Sequence, residues 1–261
     1  MALAIVAAIL PVFLLGSLSI EIRGELGYGE AAGGLILAGF FASSAIVSSR
    51  IGRLIDRVGP RMGFTASLSG TVVMQLLIAG AVRHPALLAA IAAGAGVCNA
   101  TAQLSANVFV ARDLPLHRQG VGFAVKQSAM PGAALVAGLA LPTIALTVGW
   151  RWVFVLSSAL ALVALVVVRD RLPADARSDA GQGRGQTEEG GAPLGALTTL
   201  AVAAAFSTAA AITLGGFFVE SDIDAGIEPG QARLAFAVGS LISILVRMAV
   251  GAAVDRHPGN L

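Results

Sequence analysis

The chain has 261 residues, 56% of them hydrophobic and 12% charged, with a formal net charge of +2. A soluble domain carries about 25% charged residues, so this chain lacks the polar groups to cover a water-exposed surface, and its charge balance does not point to a nucleic-acid partner. One cysteine, Cys98, excludes an internal disulfide and a cysteine-based metal site.

About 20 apolar residues in a helix cross the roughly 30 Å of bilayer hydrocarbon. Eight stretches qualify, at 2–20, 31–49, 63–82, 86–111, 120–141, 150–168, 194–219 and 231–253. The first lacks a basic leader and is long, which favours a membrane span over a signal peptide. In lipid the backbone polar groups must be satisfied within each span, which makes the spans helices. The ten-residue alternation of a membrane barrel is absent. The expected fold class is all-α, a polytopic helical bundle in the bilayer.

The loops alternate in charge. Glu21, Glu25 and Glu30 follow the first span, and Glu220, Asp222, Asp224 and Glu228 lie between the seventh and eighth. Thirteen of the seventeen basic residues gather on the opposite side, leaving Arg23, Arg83, Arg151 and Arg233. That bias predicts a cytoplasmic amino terminus and a multi-pass protein of the cell inner (plasma) membrane. Segment 169–193 is rich in Gly, Arg, Gln and Glu and reads as a flexible cytoplasmic linker. It separates a six-helix bundle, 1–168, from the start of a second bundle, 194–261.

Between spans 2 and 3 lies a short basic stretch, Gly52-Arg-Leu-Ile-Asp56-Arg57-Val-Gly59-Pro60-Arg61, read as a hairpin loop. Gly251, Asp255 and Arg256 repeat Gly52, Asp56 and Arg57 at a constant offset of 199. A charged loop recurring after one half-bundle marks a duplicated membrane fold. The stretch closely resembles the loop between helices 2 and 3 of the major facilitator superfamily, Gly-x-x-x-Asp-Arg-x-Gly-Arg, with Pro60 as the departure. Gly149-Trp-Arg-Trp-Val-Phe154 at the start of span 6 also looks like the family. The resemblance implies that Gly52, Asp56, Arg57, Gly59, Arg61, Gly251, Asp255 and Arg256 form a gating motif that latches two bundles on the cytoplasmic side. On local grounds Asp56 pairs with Arg57 or Arg61, or lies near a helix start. A full member has twelve helices, so the chain is expected to represent a member cut off after the eighth.

Inside the spans, Gly34, Gly39, Gly70, Gly94, Gly96, Gly132 and Gly138 read as helix-packing positions. Gly94-Ala-Gly96 lies within a span with no preceding strand, so it is no dinucleotide fingerprint. Span 4 carries Asn99, Gln103 and Asn107 on one helix face. That face either lines a substrate path or bonds a neighbouring helix. Span 5 carries Lys126 and Gln127, then Pro131, which frees a backbone carbonyl. Lys126 either snorkels to the headgroups or meets a water-filled cavity, where it would suit an anionic solute. The family's antiporter pattern on helix 5 is poorly matched, and the arginine that many members carry early in helix 4 is Ala90 here.

The resemblance implies a secondary or facilitative transporter that moves a small solute, an organic anion on the Lys126 argument, by alternating access. The alternatives are a drug or metabolite efflux transporter of the same fold and a non-transporting membrane scaffold. No His-Glu-x-x-His or nucleophile cluster suggests an enzyme, and no cofactor is expected. The expected partners are the lipid bilayer and the solute.

Overall fold

The computed structural model describes residues 1–140, 144–172, 195, 198–199, 202–203, 206 and 229–256. Two compact units result, one of residues 1–177 with 240–261 and one of 178–239. Most of the expected linker and seventh span, the acidic loop 220–228 and the closing His257-Pro258-Gly259 lie outside the described residues.

The elements are helices in sequence: α1 (Ala2–Ser17), α2 (Ser19–Leu26), α3 (Glu30–Val58), α4 (Pro60–Gly80), α5 (Pro85–Asp113), a 3₁₀ turn (Leu116–Arg118), α6 (Gln119–Ala140), the single turn α7 (Leu146–Val148), α8 (Trp150–Arg171) and α9 (Pro229–Arg256). Among the described residues five of these, α3, α4, α5, α8 and the 238–256 part of α9, are long and apolar enough to cross a membrane. Helices α1 and α2, bent by 66° at Leu18, pass the same test as a pair. Helix α6 has the length but is less apolar, because Lys126, Gln127 and Ser128 interrupt it.

Three boundaries differ from the sequence reading. The stretch after the first span, read as a loop, holds α2 with Glu21 and Glu25 in it. The basic stretch 52–61 is helical on both sides of one residue, Gly59, whose φ of 88° and ψ of 162° end α3. Glycine adopts that φ without steric cost, and Pro60 at the first position of α4 has its φ already set for a helix. The turn is therefore a single residue. Helix α8 runs on to Arg171, into the stretch assigned to the linker.

Helix α5 packs between α3 and α4; α4 packs also on α8, and α1 on α6 and α8. Serine hydroxyls stitch these contacts: Ser43 Oγ donates to the Ala93 carbonyl at 2.7 Å and Ser67 Oγ to the Cys98 carbonyl at 2.7 Å. Such bonds and close small-residue contacts replace the hydrophobic drive that lipid removes.

The interior of the first unit divides into two apolar clusters. One gathers Ile78, Val82, Ile91, Ala95, Val153 and Phe154. The other gathers Phe64, Leu68, Ala102, Ala106, Ala161 and Ala164. At the end nearer the first cluster, Glu25 on α2 ties three elements together. Its Oε2 accepts Trp150 Nε1–H at 2.6 Å and its Oε1 accepts Arg151 Nη2–H at 2.7 Å. The same guanidinium donates to the Ala79 and Val82 carbonyls, both at 2.9 Å, at the end of α4. It also lies 4.5 Å from the Trp150 ring centre. The Arg151 hydrogen bond holds the Glu25 carboxyl below the usual carboxylate range.

Candidate functional site

The two copies of the repeated motif make different contacts. In the first, Asp56 lies within α3, and its Oδ1 accepts Arg112 Nη2–H at 3.1 Å. Arg112 Nη1 also donates to the Asp56 carbonyl, at 3.3 Å. The partner is thus Arg112, in the last turn of α5, and not Arg57 or Arg61. The reason is the helical backbone: successive residues on a helix do not face each other, so Arg57 points elsewhere and is exposed. Arg61 lies beyond the Gly59 turn and donates to the Arg169 carbonyl at 2.6 Å. Gly52 has open space where a side chain would stand.

In the second copy Asp255 grips the start of α6. Its Oδ1 accepts Gly120 N–H at 2.7 Å and its Oδ2 accepts Val121 N–H at 2.8 Å. The opening N–H groups of a helix have no partner within it, and the helix dipole favours an anion there. One carboxylate answers both demands. The helices touch through bare backbone: a Cβ on Gly251 would stand 2.7 Å from the Gly120 carbonyl oxygen, and one on Gly120 would stand 2.6 Å from that of Gly251. Arg256 faces an open cleft of about 620 Å³ beside this contact, lined also by Met1, His117, Arg118 and Val125.

The polar face of span 4 divides. Asn107 Oδ1 accepts Lys126 Nζ–H at 2.6 Å, joining α5 to α6. Gln103 is half-buried, and Asn99 is buried, 6% exposed, without joining that pair. Pro131 has no N–H to give the carbonyl four residues before it, which belongs to Gln127. Arg247 on α9 meets that need: its Nη1 donates to the Gln127 carbonyl at 3.3 Å, and its Nε is held by Ser243 Oγ at 3.2 Å. The Gln127 side chain is exposed. Sequence reasoning placed Arg247 only as a charge on the inner side. The carbonyl freed by Pro131 was the signal that a donor was required.

The model of the Major Facilitator Superfamily matches residues 1–261. The chain belongs to that superfamily. An "MFS-type efflux pump" of Mycolicibacterium smegmatis is 32% identical over 171 residues, which cover 62% of this chain and 39% of that protein. The match thus spans about two fifths of the relative's length. Family and helices together make the chain an all-α, multi-pass membrane protein.

Proposed function

We propose that the protein is a secondary transporter that moves a small solute across the plasma membrane by alternating access, with the amino terminus and the arginine-rich ends of α3 and α9 in the cytoplasm. Residues 1–168 act as the first bundle, 169–193 as a linker and 194–261 as the start of the second. Gly52, Asp56, Arg57, Gly59, Arg61, Gly251, Asp255 and Arg256 act as the cytoplasmic latch. The observation that carries this reading is the Asp255 carboxylate on the first turn of α6. It joins the second copy of the repeat to a helix of the first bundle through groups that separate without breaking either helix.

The solute path runs along Asn107, Lys126 and Gln127, with Pro131 and the remaining polar face of α5, Asn99 and Gln103, beside it. The amide that accepts from Lys126 brings no negative charge to offset an ammonium, which favours an anionic solute such as a small carboxylate. Export is the second reading, supported by the likeness to an MFS-type efflux pump. The test is uptake and efflux of radiolabelled carboxylates by the complete protein in liposomes. Lys126→Gln abolishes transport of the anion and Lys126→Arg retains part of it, with equal expression. Normal transport by Lys126→Gln ends the anion reading.

A further inference from the structure

A level of buried polar side chains separates the two apolar clusters of the first unit. On α4, Thr71 and Gln75 lie between Leu68 of one cluster and Ile78 of the other. On α5, Asn99 lies between Ala95 and Ala102, and on α8, Ser157 and Ser158 lie between Phe154 and Ala161. Three packed helices thus turn polar at one depth. Thr71 and Gln75 are 0% exposed, and Asn99, Ser157 and Ser158 are each 6% exposed.

The level is not satisfied by protein. Both amide atoms of Gln75, Asn99 Oδ1 and Ser157 Oγ have no hydrogen-bond partner among the described residues, and Thr71 Oγ1 meets only the weakly bonding Cys98 thiol. Only Ser158 is locally paired, to the Val155 carbonyl at 2.6 Å. Leaving four such atoms bare, and a fifth weakly met, in a membrane interior is a cost that natural folds do not carry at this density. The chemistry of the set selects what answers it. The atoms left open present donors, in the Gln75 amide and two hydroxyls, and acceptors, in the Gln75 and Asn99 carbonyls. None is ionisable. A bare cation is opposed by the amide N–H groups and an anion by the carbonyls, whereas water donates and accepts.

We propose that this level is a binding site for ordered water, a hydrated layer enclosed within the first bundle and separate from the Lys126–Asn107 pair. Buried water of this kind makes about three hydrogen bonds to protein polar groups, so about two molecules serve this set of atoms.

The test is hydroxyl-radical footprinting by microsecond X-ray pulses on the full chain in lipid nanodiscs, read by mass spectrometry. The radicals form from water in place and oxidise a buried sulfur only where water adjoins it. Single cysteines are placed by Ser157→Cys, Ala95→Cys and Ala161→Cys in a Cys98→Ala background, which adds no polar group beside Thr71; the last two probe the apolar clusters. The layer predicts oxidation at position 157 at least about tenfold faster than at 95 or 161, and a fall in that rate when Gln75→Leu is added. Equal slow oxidation at all three positions overturns the proposal. Melting temperatures of Thr71→Val and Gln75→Leu supply a second readout that needs no cysteine. A hydrated layer loses its bridging waters and both variants melt lower; a dry one sheds unmet polar groups and both melt at the same temperature or higher, which also overturns it.

Discussion

Asp255→Asn is the sharpest probe of the proposed latch. The carboxylate accepts two N–H bonds, at 2.7 and 2.8 Å, from the first turn of α6. Hydrogen bonds to a charged group contribute about 1.5–3 kcal/mol each, and neutral ones about 1. The amide keeps one carbonyl oxygen facing one N–H and turns its NH₂ against the other, so one bond is lost and the survivor is weakened. The favourable meeting of the anion with the helix start, about 0.3–1 kcal/mol, goes as well. Allowing for solvent at this partly buried position, a net loss of about 2 kcal/mol is expected, which moves a two-state equilibrium roughly 30-fold. If the contact holds the closed cytoplasmic state, the variant populates the open state more. The assay pairs solute flux in proteoliposomes with the labelling rate of a cysteine at Val125, which lines the cleft, in a Cys98→Ser background. Flux should fall and labelling rise by an order of magnitude, with membrane insertion unchanged. Flux and labelling both within twofold of the unaltered protein would refute the latch.

Asp56→Asn removes a pair whose members are half-exposed, so a stability change below about 1 kcal/mol is expected in thermal melts. Arg247→Ala strips the Gln127 carbonyl of its donor, at about 1–2 kcal/mol; adding Pro131→Ala returns a helical N–H and should recover part of the loss in melting temperature. Glu25 has its pKa lowered in the fold, so its contribution is present above the ordinary carboxylate range and is lost as pH falls through the depressed value. Its side chain is 48% exposed, so the melting temperature should drop on acidification by an amount worth at most about 1 kcal/mol, and Glu25→Gln should remove that slope. Cysteines at His117→Cys and Asp222→Cys should label from opposite faces of the membrane, with 222 outside; labelling from one face would end the proposed topology.

Hydropathy located the long helices that the structure describes, because an apolar run of membrane length has few other uses, but not the short α2 and α7. Gly59-Pro60 was a turn signal in the sequence, but the length of the loop around it was not legible. Arginines crowd both flanks and suggest a solvated loop, yet the backbone stays helical through Val58. The polar faces of Lys126 and of Asn99, Gln103 and Asn107 were visible on neighbouring spans, but the bond between Lys126 and Asn107 was not. Nor were the partners of Asp56 and Asp255. Arg112 lies 56 residues from Asp56, Gly120 lies 135 from Asp255, and one of the two groups is a backbone N–H that carries no side-chain signature. Unmet valences such as the Gln127 carbonyl are readable from sequence only when one asks which donor Pro131 has removed.

The meeting of Gly120 with Gly251 bears on mechanics. Interlocked side chains resist rotation, because turning one helix on another forces rotamers through barriers. Two glycines in contact meet through peptide surfaces, so once the Asp255 bonds to Gly120 and Val121 part, the crossing offers a fulcrum. From Gly120 to Ala140 helix α6 extends about 30 Å, and a tilt of roughly 10° about the fulcrum carries its far end about 5 Å. Leverage of that kind turns a small change at a helix terminus into a large one at the opposite face of the membrane, and a methyl group at either glycine would jam it.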